Sequence, residues 1–127
     1  LIKLIKQKGL ADHLSFCGAR SDIAMVYKIS DIVMNLSSKP EPFGRTIIEA
    51  AACGSHVMGW DRGGVKESIQ SINPDGLVEY GNIGMLAQQI EKVLTSSPPE
   101  SIPEQFTKEH LASSTINVYE LALNRAS

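Results

Sequence analysis

Asp31-Ile32-Val33-Met34-Asn35-Leu36 is the stretch that narrows the fold most, a nearly unbroken apolar run of strand length that stops at Ser37-Ser38-Lys39-Pro40-Glu41-Pro42. A strand with one wet face alternates apolar and polar residues. A continuous run instead predicts a strand covered on both faces, as in a parallel sheet wound with helices. The neighbouring segments alternate to match. Apolar residues at 1, 4, 5 and 10 predict an opening helix ended by Gly9, and Leu14-Ser15-Phe16-Cys17 predicts a short strand closed by Gly18. Ser21-Asp22 is placed to cap a helix over 23–29 with Met25 and Val26 facing inward. After the proline loop, Phe43 to Cys53 reads as a helix stopped by Gly54, and His56 to Trp60 as the next strand.

The pattern repeats further on. Gly63-Gly64 precede a short helix over 65–69, and Gly76 to Tyr80 reads as a strand. Ile83, Leu86, Ile90, Val93 and Leu94 fall on one helical stripe. A loop with three prolines, 96–103, leads into a last helix from Phe106 to Leu123, with Leu111, Thr115, Val118, Tyr119, Leu121 and Ala122 as its expected inner face. The expectation is therefore α/β: one domain, 1–127, with a Rossmann-like parallel sheet flanked by helices and a C-terminal helical segment at 104–127. Its 127 residues are enough to bury a core.

Composition removes several functions. A net charge of −2 with three scattered histidines leaves no basic field for nucleic acid. No apolar run nears the ~20 residues of a membrane span. Cys17 and Cys53 lie outside any Cys-x-x-Cys or Cys/His spacing, so they read as reduced thiols of a cytoplasmic protein, with no metal site. The opening Leu1-Ile2-Lys3 has no initiator Met and no signal-peptide layout, and is expected to begin inside an element of a longer chain.

Chemistry concentrates between Ser37 and Gly54. In open parallel sheets ligands bind beyond the carboxyl ends of strands, and this loop follows such an end. A loop entering a helix presents free N–H groups and the positive end of the helix dipole, which suits a phosphate. Gly44 permits close backbone approach and Pro42 stiffens the entry. Glu49, one turn past Arg45, is a carboxylate able to accept two hydrogen bonds from the cis-diol of a ribose, and Glu41 lies at the loop, where a sugar beyond the phosphates would sit. The spacing reads as a clamp for a nucleotide-sugar.

Glu41 and Glu49, with seven residues between them, resemble the E-x7-E motif of family-4 retaining glycosyltransferases of the GT-B fold. The stretch SDIVMNLSSKPEPFGRTIIEAAACGSHVMGWDRGGVKESI, LADHLSFCG upstream, and PDGLVEYGNIGMLAQQIEKVL and FTKEHLASSTINVYELAL downstream follow that family's order. The resemblance implies the C-terminal, donor-binding half of such an enzyme, truncated at its N-terminus and inactive in transfer alone. It implies Glu49 on the donor ribose, Glu41 as the acid near the donor sugar, and Phe43, Gly44, Arg45 and Thr46 at the turn that meets its hydroxyls and diphosphate. The donor would be a UDP- or GDP-sugar, with no obligatory metal. A glycan or lipid-linked acceptor would be held by an N-terminal domain outside this chain, at the inner face of a membrane, in cell-surface or polysaccharide assembly. Pro42 and Arg45 depart from the residues common in the family, and its diphosphate-neutralising arginine and lysine would precede Leu1.

Several residues keep two readings. Arg45 is a phosphate contact or only the ion-pair neighbour of Glu49. Gly63-Gly64 either touch the donor or only permit a sharp turn. Trp60 lines the cleft or packs, Asp61 and Arg62 are in reach of a ligand, and Lys66 and Glu67 decorate their helix. His13, His56 and His110 lack a partner at useful spacing. The rival functions are a non-catalytic nucleotide-binding or regulatory module of the same fold and a sugar-nucleotide epimerase. The paired acids speak against the first and the lack of a suitable histidine against the second.

Overall fold

Three short strands, β1 (Ile32–Asn35), β2 (His56–Trp60) and β3 (Leu77–Val78), pair in parallel in the order β1-β2-β3. Val33 stands opposite Val57, and Gly59 opposite Leu77. The computed structural model describes residues 1–125, so residues 126 and 127 of the expected C-terminal segment lie outside it. Helices α1 (Ile2–Gln7), α2 (Ile23–Ile29), α3 (Arg45–Ala52), α4 (Gly63–Ile72), α5 (Ile83–Leu94) and α6 (Lys108–Arg125) lie before, between and after the strands.

β2 is buried along its whole length and divides the core by alternation. Val57 joins Tyr27, Ile47, Ala50, Val65 and Ile69 under α2, α3 and α4. Met58 and Trp60 point the other way, to Val78, Leu86 and Val93 under α5. Ile47, Val57, Met58 and Ile69 are 0% exposed, and each side chain of that kind contributes about 1.5–3 kcal/mol by leaving water. His56 begins the strand, buried, with its Nε2 3.2 Å from the Ser96 carbonyl oxygen.

Helix boundaries for α2, α3 and α5 follow the expected ones, but several faces differ. β1 is an edge strand. Val33 packs under the helices and Ile32 packs against the cluster on the other side, but Met34 on that second face is 44% exposed, so the apolar run is covered on both faces only in part. Leu14–Cys17 forms no strand; a strand exists through its ladder, and this segment has none, with Phe16 65% exposed. In α2 the inward residue is Tyr27, with Val26 half-buried and Met25 exposed. Asp22 does not cap α2, because its carboxylate is taken by Arg20, whose guanidinium holds it below the usual carboxylate range. β3 pairs only over Leu77–Val78 because β2 ends at Trp60, where the Asp61 amide closes on the Val78 carbonyl at 2.7 Å. The stripe on α5 meets the sheet through Leu86, Ile90 and Val93, while Ile83 and Leu94 overhang into solvent. Every described side chain of α6 from 108 to 124 is exposed. Its expected inner face is therefore outside: periodicity supplies an apolar face, but burial needs a second surface to cover it.

Candidate functional site

The loop between β1 and α3 is pinned at both ends by one residue. Asn35, last in β1, accepts from the Ser37 amide at 3.2 Å and donates through Nδ2 to the Thr46 hydroxyl at 3.3 Å. Thr46 is thus tied to the strand end. At the entry to α3, Gly44 occupies the N-cap with φ 65, a left-handed conformation that side chains disfavour. No side chain caps the helix there, and the Gly44 carbonyl accepts from the Ile47 amide at 3.0 Å. First-turn N–H groups left over in this way favour an anionic partner.

The loop rests on the start of α4. The Gly64 amide donates to the Glu41 carbonyl at 2.8 Å, and the Ser68 hydroxyl donates to the Phe43 carbonyl at 3.1 Å. A methyl group on Gly64 would meet the Pro42 carbonyl and stand 2.6 Å from Phe43 Cα, so backbone lies on backbone. One on Gly63 would lie 2.8 Å from the Glu41 carbonyl oxygen. The glycine pair therefore begins α4 and seats the loop.

The acids face different spaces. Phe43, Arg45 and Glu49 line an open cleft of about 320 Å³, closed on its far side by Phe106, Lys108 and Leu111. Glu41 instead lines a recess of about 10 Å³ with Asn35, Lys39, Trp60 and Arg62, room for about one water. The structure brings Glu49, Arg45 and Phe43 together, sets Glu41 on the neighbouring recess, and buries Gly44 against Val65.

Several charges around these spaces are already paired. Arg45 reaches Glu49 at 3.4 Å, with side chains 80% and 44% exposed, a surface pair of a few tenths of a kcal/mol that a ligand displaces cheaply. Behind it Tyr27 is buried, and burial first, then the negative charge of Glu49, pushes its hydroxyl above the usual tyrosine range. Trp60 packs in the core with Tyr80 edge-on at 5.9 Å, and Arg62 lies over the Tyr80 ring at 4.1 Å. Asp61 is held by Lys66 at 2.9 Å, so Lys66 does more than decorate its helix. Among the described residues no three His, Cys, Asp or Glu side chains gather to hold a metal ion, and no helix is long and apolar enough to cross a membrane.

The sequence reading missed Phe106, Lys108 and Leu111 as walls of the Glu49 cleft. They lie more than fifty residues further along the chain, and Leu111 reads by its spacing as part of a buried helix face.

Known proteins resemble this chain over most of its length. The sequence profile described as Glycosyl transferases group 1 matches residues 1–110. N-acetyl-alpha-D-glucosaminyl L-malate synthase of Bacillus anthracis is 30% identical, over 94% of this chain and 33% of its own length. Among solved structures, HepE of Anabaena in complex with UDP and glucose is 33% identical with a TM-score of 0.68, over 75% of this chain and 26% of that one. Sucrose-phosphate synthase of Thermosynechococcus elongatus superimposes over 99% of this chain and 34% of its own, with a TM-score of 0.80 and 26% identity. The chain thus spans about a quarter to a third of the length of these proteins.

Proposed function

From the premise that this chain belongs to the group 1 glycosyl transferases and has the GT-B α/β architecture, we propose that it is the donor-binding part of a retaining glycosyltransferase. The observation that carries this reading is the cleft shared by Glu49, Arg45 and Phe43 at the uncapped amino end of α3. The Glu49 carboxylate accepts hydrogen bonds from the ribose diol. The amides of Gly44, Arg45 and Thr46, at the positive end of α3, meet the diphosphate, and Arg45 leaves Glu49 to add charge there. Glu41, on the recess next to this turn, meets the hydroxyls of the donor sugar. Retention at the anomeric carbon follows from the resemblance of the Glu41/Glu49 pair to the E-x7-E motif.

The donor is a nucleoside diphosphate sugar, and the UDP held by the Anabaena neighbour favours uridine over guanosine. The acceptor is a glycan or lipid-linked sugar held by a part of the protein beyond this chain, in a cytoplasmic step of cell-surface polysaccharide assembly. Calorimetric titration with UDP, GDP and ADP, beside Glu49→Ala, tests the reading. A hydrogen bond to a charged group is worth about 1.5–3 kcal/mol, so the variant should bind its nucleotide about tenfold or more weakly. Equal binding by both chains would leave Glu49 a surface acid and remove the anchor of the proposal.

A further inference from the structure

Ser68 sits one turn inside α4, only 2% exposed, and its hydroxyl donates to the Phe43 carbonyl of the loop at 3.1 Å. A serine within a helix has a nearer acceptor in the carbonyl four residues back. Ser71 on the same helix takes that option, bonding the Glu67 carbonyl at 3.0 Å. Ser68 instead reaches out of its helix to one peptide of the loop, the one between Phe43 and Gly44. That peptide is a rigid trans plane, in which the C=O and the N–H point in opposite directions. Holding the carbonyl toward α4 therefore aims the Gly44 N–H away from α4, to the side where α3 begins. The Gly64 amide fixes the Glu41 carbonyl in the same way, so the loop is gripped two residues apart by one helix.

We propose that Ser68 is a positioning residue for donor recognition, setting the Phe43–Gly44 peptide so that the Gly44 N–H faces the diphosphate. This rests on the donor-site reading above. Without the hydroxyl, the Phe43 carbonyl loses its partner on α4, and the peptide is free to rotate toward water.

The test begins without ligand, with amide spectra of nitrogen-labelled wild type, Ser68→Ala and Ser68→Thr. The Gly44 and Arg45 resonances should move in Ser68→Ala while those of α5 stay, and Ser68→Thr should keep the wild-type positions. In UDP titrations well below the melting temperature, Ser68→Ala should bind about tenfold more weakly, and Ser68→Thr within about threefold of wild type. Unmoved Gly44 spectra, or unchanged UDP affinity in a folded Ser68→Ala chain, overturns the proposal. Should that variant fail to fold, Ser68→Cys, close in size but a poor donor, takes its place. Weaker binding by Cys than by Thr supports the proposal and equal binding overturns it. A wild-type chain that binds no nucleotide counts against the donor-site reading and not against Ser68, and the ligand-free Gly44 spectra then decide whether Ser68 holds the turn.

Discussion

Gly64→Ala adds one methyl group at the point where α4 and the β1–α3 loop touch. The new carbon would stand 2.6 Å from Phe43 Cα and from Phe43 N, with the Pro42 carbonyl oxygen nearer still. Carbon contacts relax at about 3.5–4.0 Å, so one backbone must retreat by about 1 Å. Overpacking of this kind costs about 1–3 kcal/mol, and the retreat strains the 2.8 Å bond from the Gly64 amide to the Glu41 carbonyl, worth about 1 kcal/mol. Against this, alanine is favoured over glycine inside a helix by about 1 kcal/mol. The net loss is about 1–3 kcal/mol, a fall in Tm of roughly 4–12 °C for a domain of this size.

Gly81→Ala is the control. Its φ is 79 and nothing lies within 4 Å of the new carbon, so it suffers only the left-handed backbone penalty of about 1–2 kcal/mol. Thermal melts followed by circular dichroism, paired with UDP titration, separate the two effects. Both variants should melt lower, but only Gly64→Ala should also lose nucleotide affinity, because it alone displaces the loop. A Gly64→Ala chain that melts at or above wild type with unchanged UDP affinity would refute the reasoning, since the loop would then be yielding and not seated.

Tyr27 and Asn82 supply two further checks. Burial, then the charges of Glu49 and Cys53, hold the Tyr27 hydroxyl above its ordinary 10.0. The neutral form is thus favoured in the fold, and its stabilisation is whole below pH 10 and lost as pH rises from there through the folded value. Denaturation midpoints should fall more steeply above pH 10 in wild type than in Tyr27→Phe, and identical alkaline profiles would count against that burial. Asn82 accepts from the Met85 amide at 3.0 Å as the cap of α5. Asn82→Ala should therefore cost about 0.5–2 kcal/mol in chemical denaturation with the m-value unchanged, and no change would mean that water caps the helix equally well.

Local pattern carried a large part of this fold. The His56–Trp60 run, the helix between the prolines and Gly54, and the stripe from Ile83 to Leu94 each became an element at or near its expected bounds. Hydrophobic period and turn chemistry are properties of neighbours in sequence, and they suffice to say helix or strand. The position of the Glu41 to Glu49 stretch was legible for the same reason, since a loop after an apolar strand in a parallel sheet has only one end of the sheet to occupy.

What covers each face was not legible. The apolar stripe of α6 and the side chain of Met34 look inward by pattern and lie outside in space, because burial is decided by whether a distant segment arrives to cover them. The same holds at the site. The two acids share a motif but line different spaces, Glu49 is walled by residues from the start of α6, and Gly63-Gly64 serve the loop by letting two backbones touch. The sequence by itself determined the alternation of strand and helix and the end of the sheet at which the acids stand. The tertiary structure decided which side chains meet there, since a contact between residues far apart in the chain exists only once the fold has brought both surfaces together.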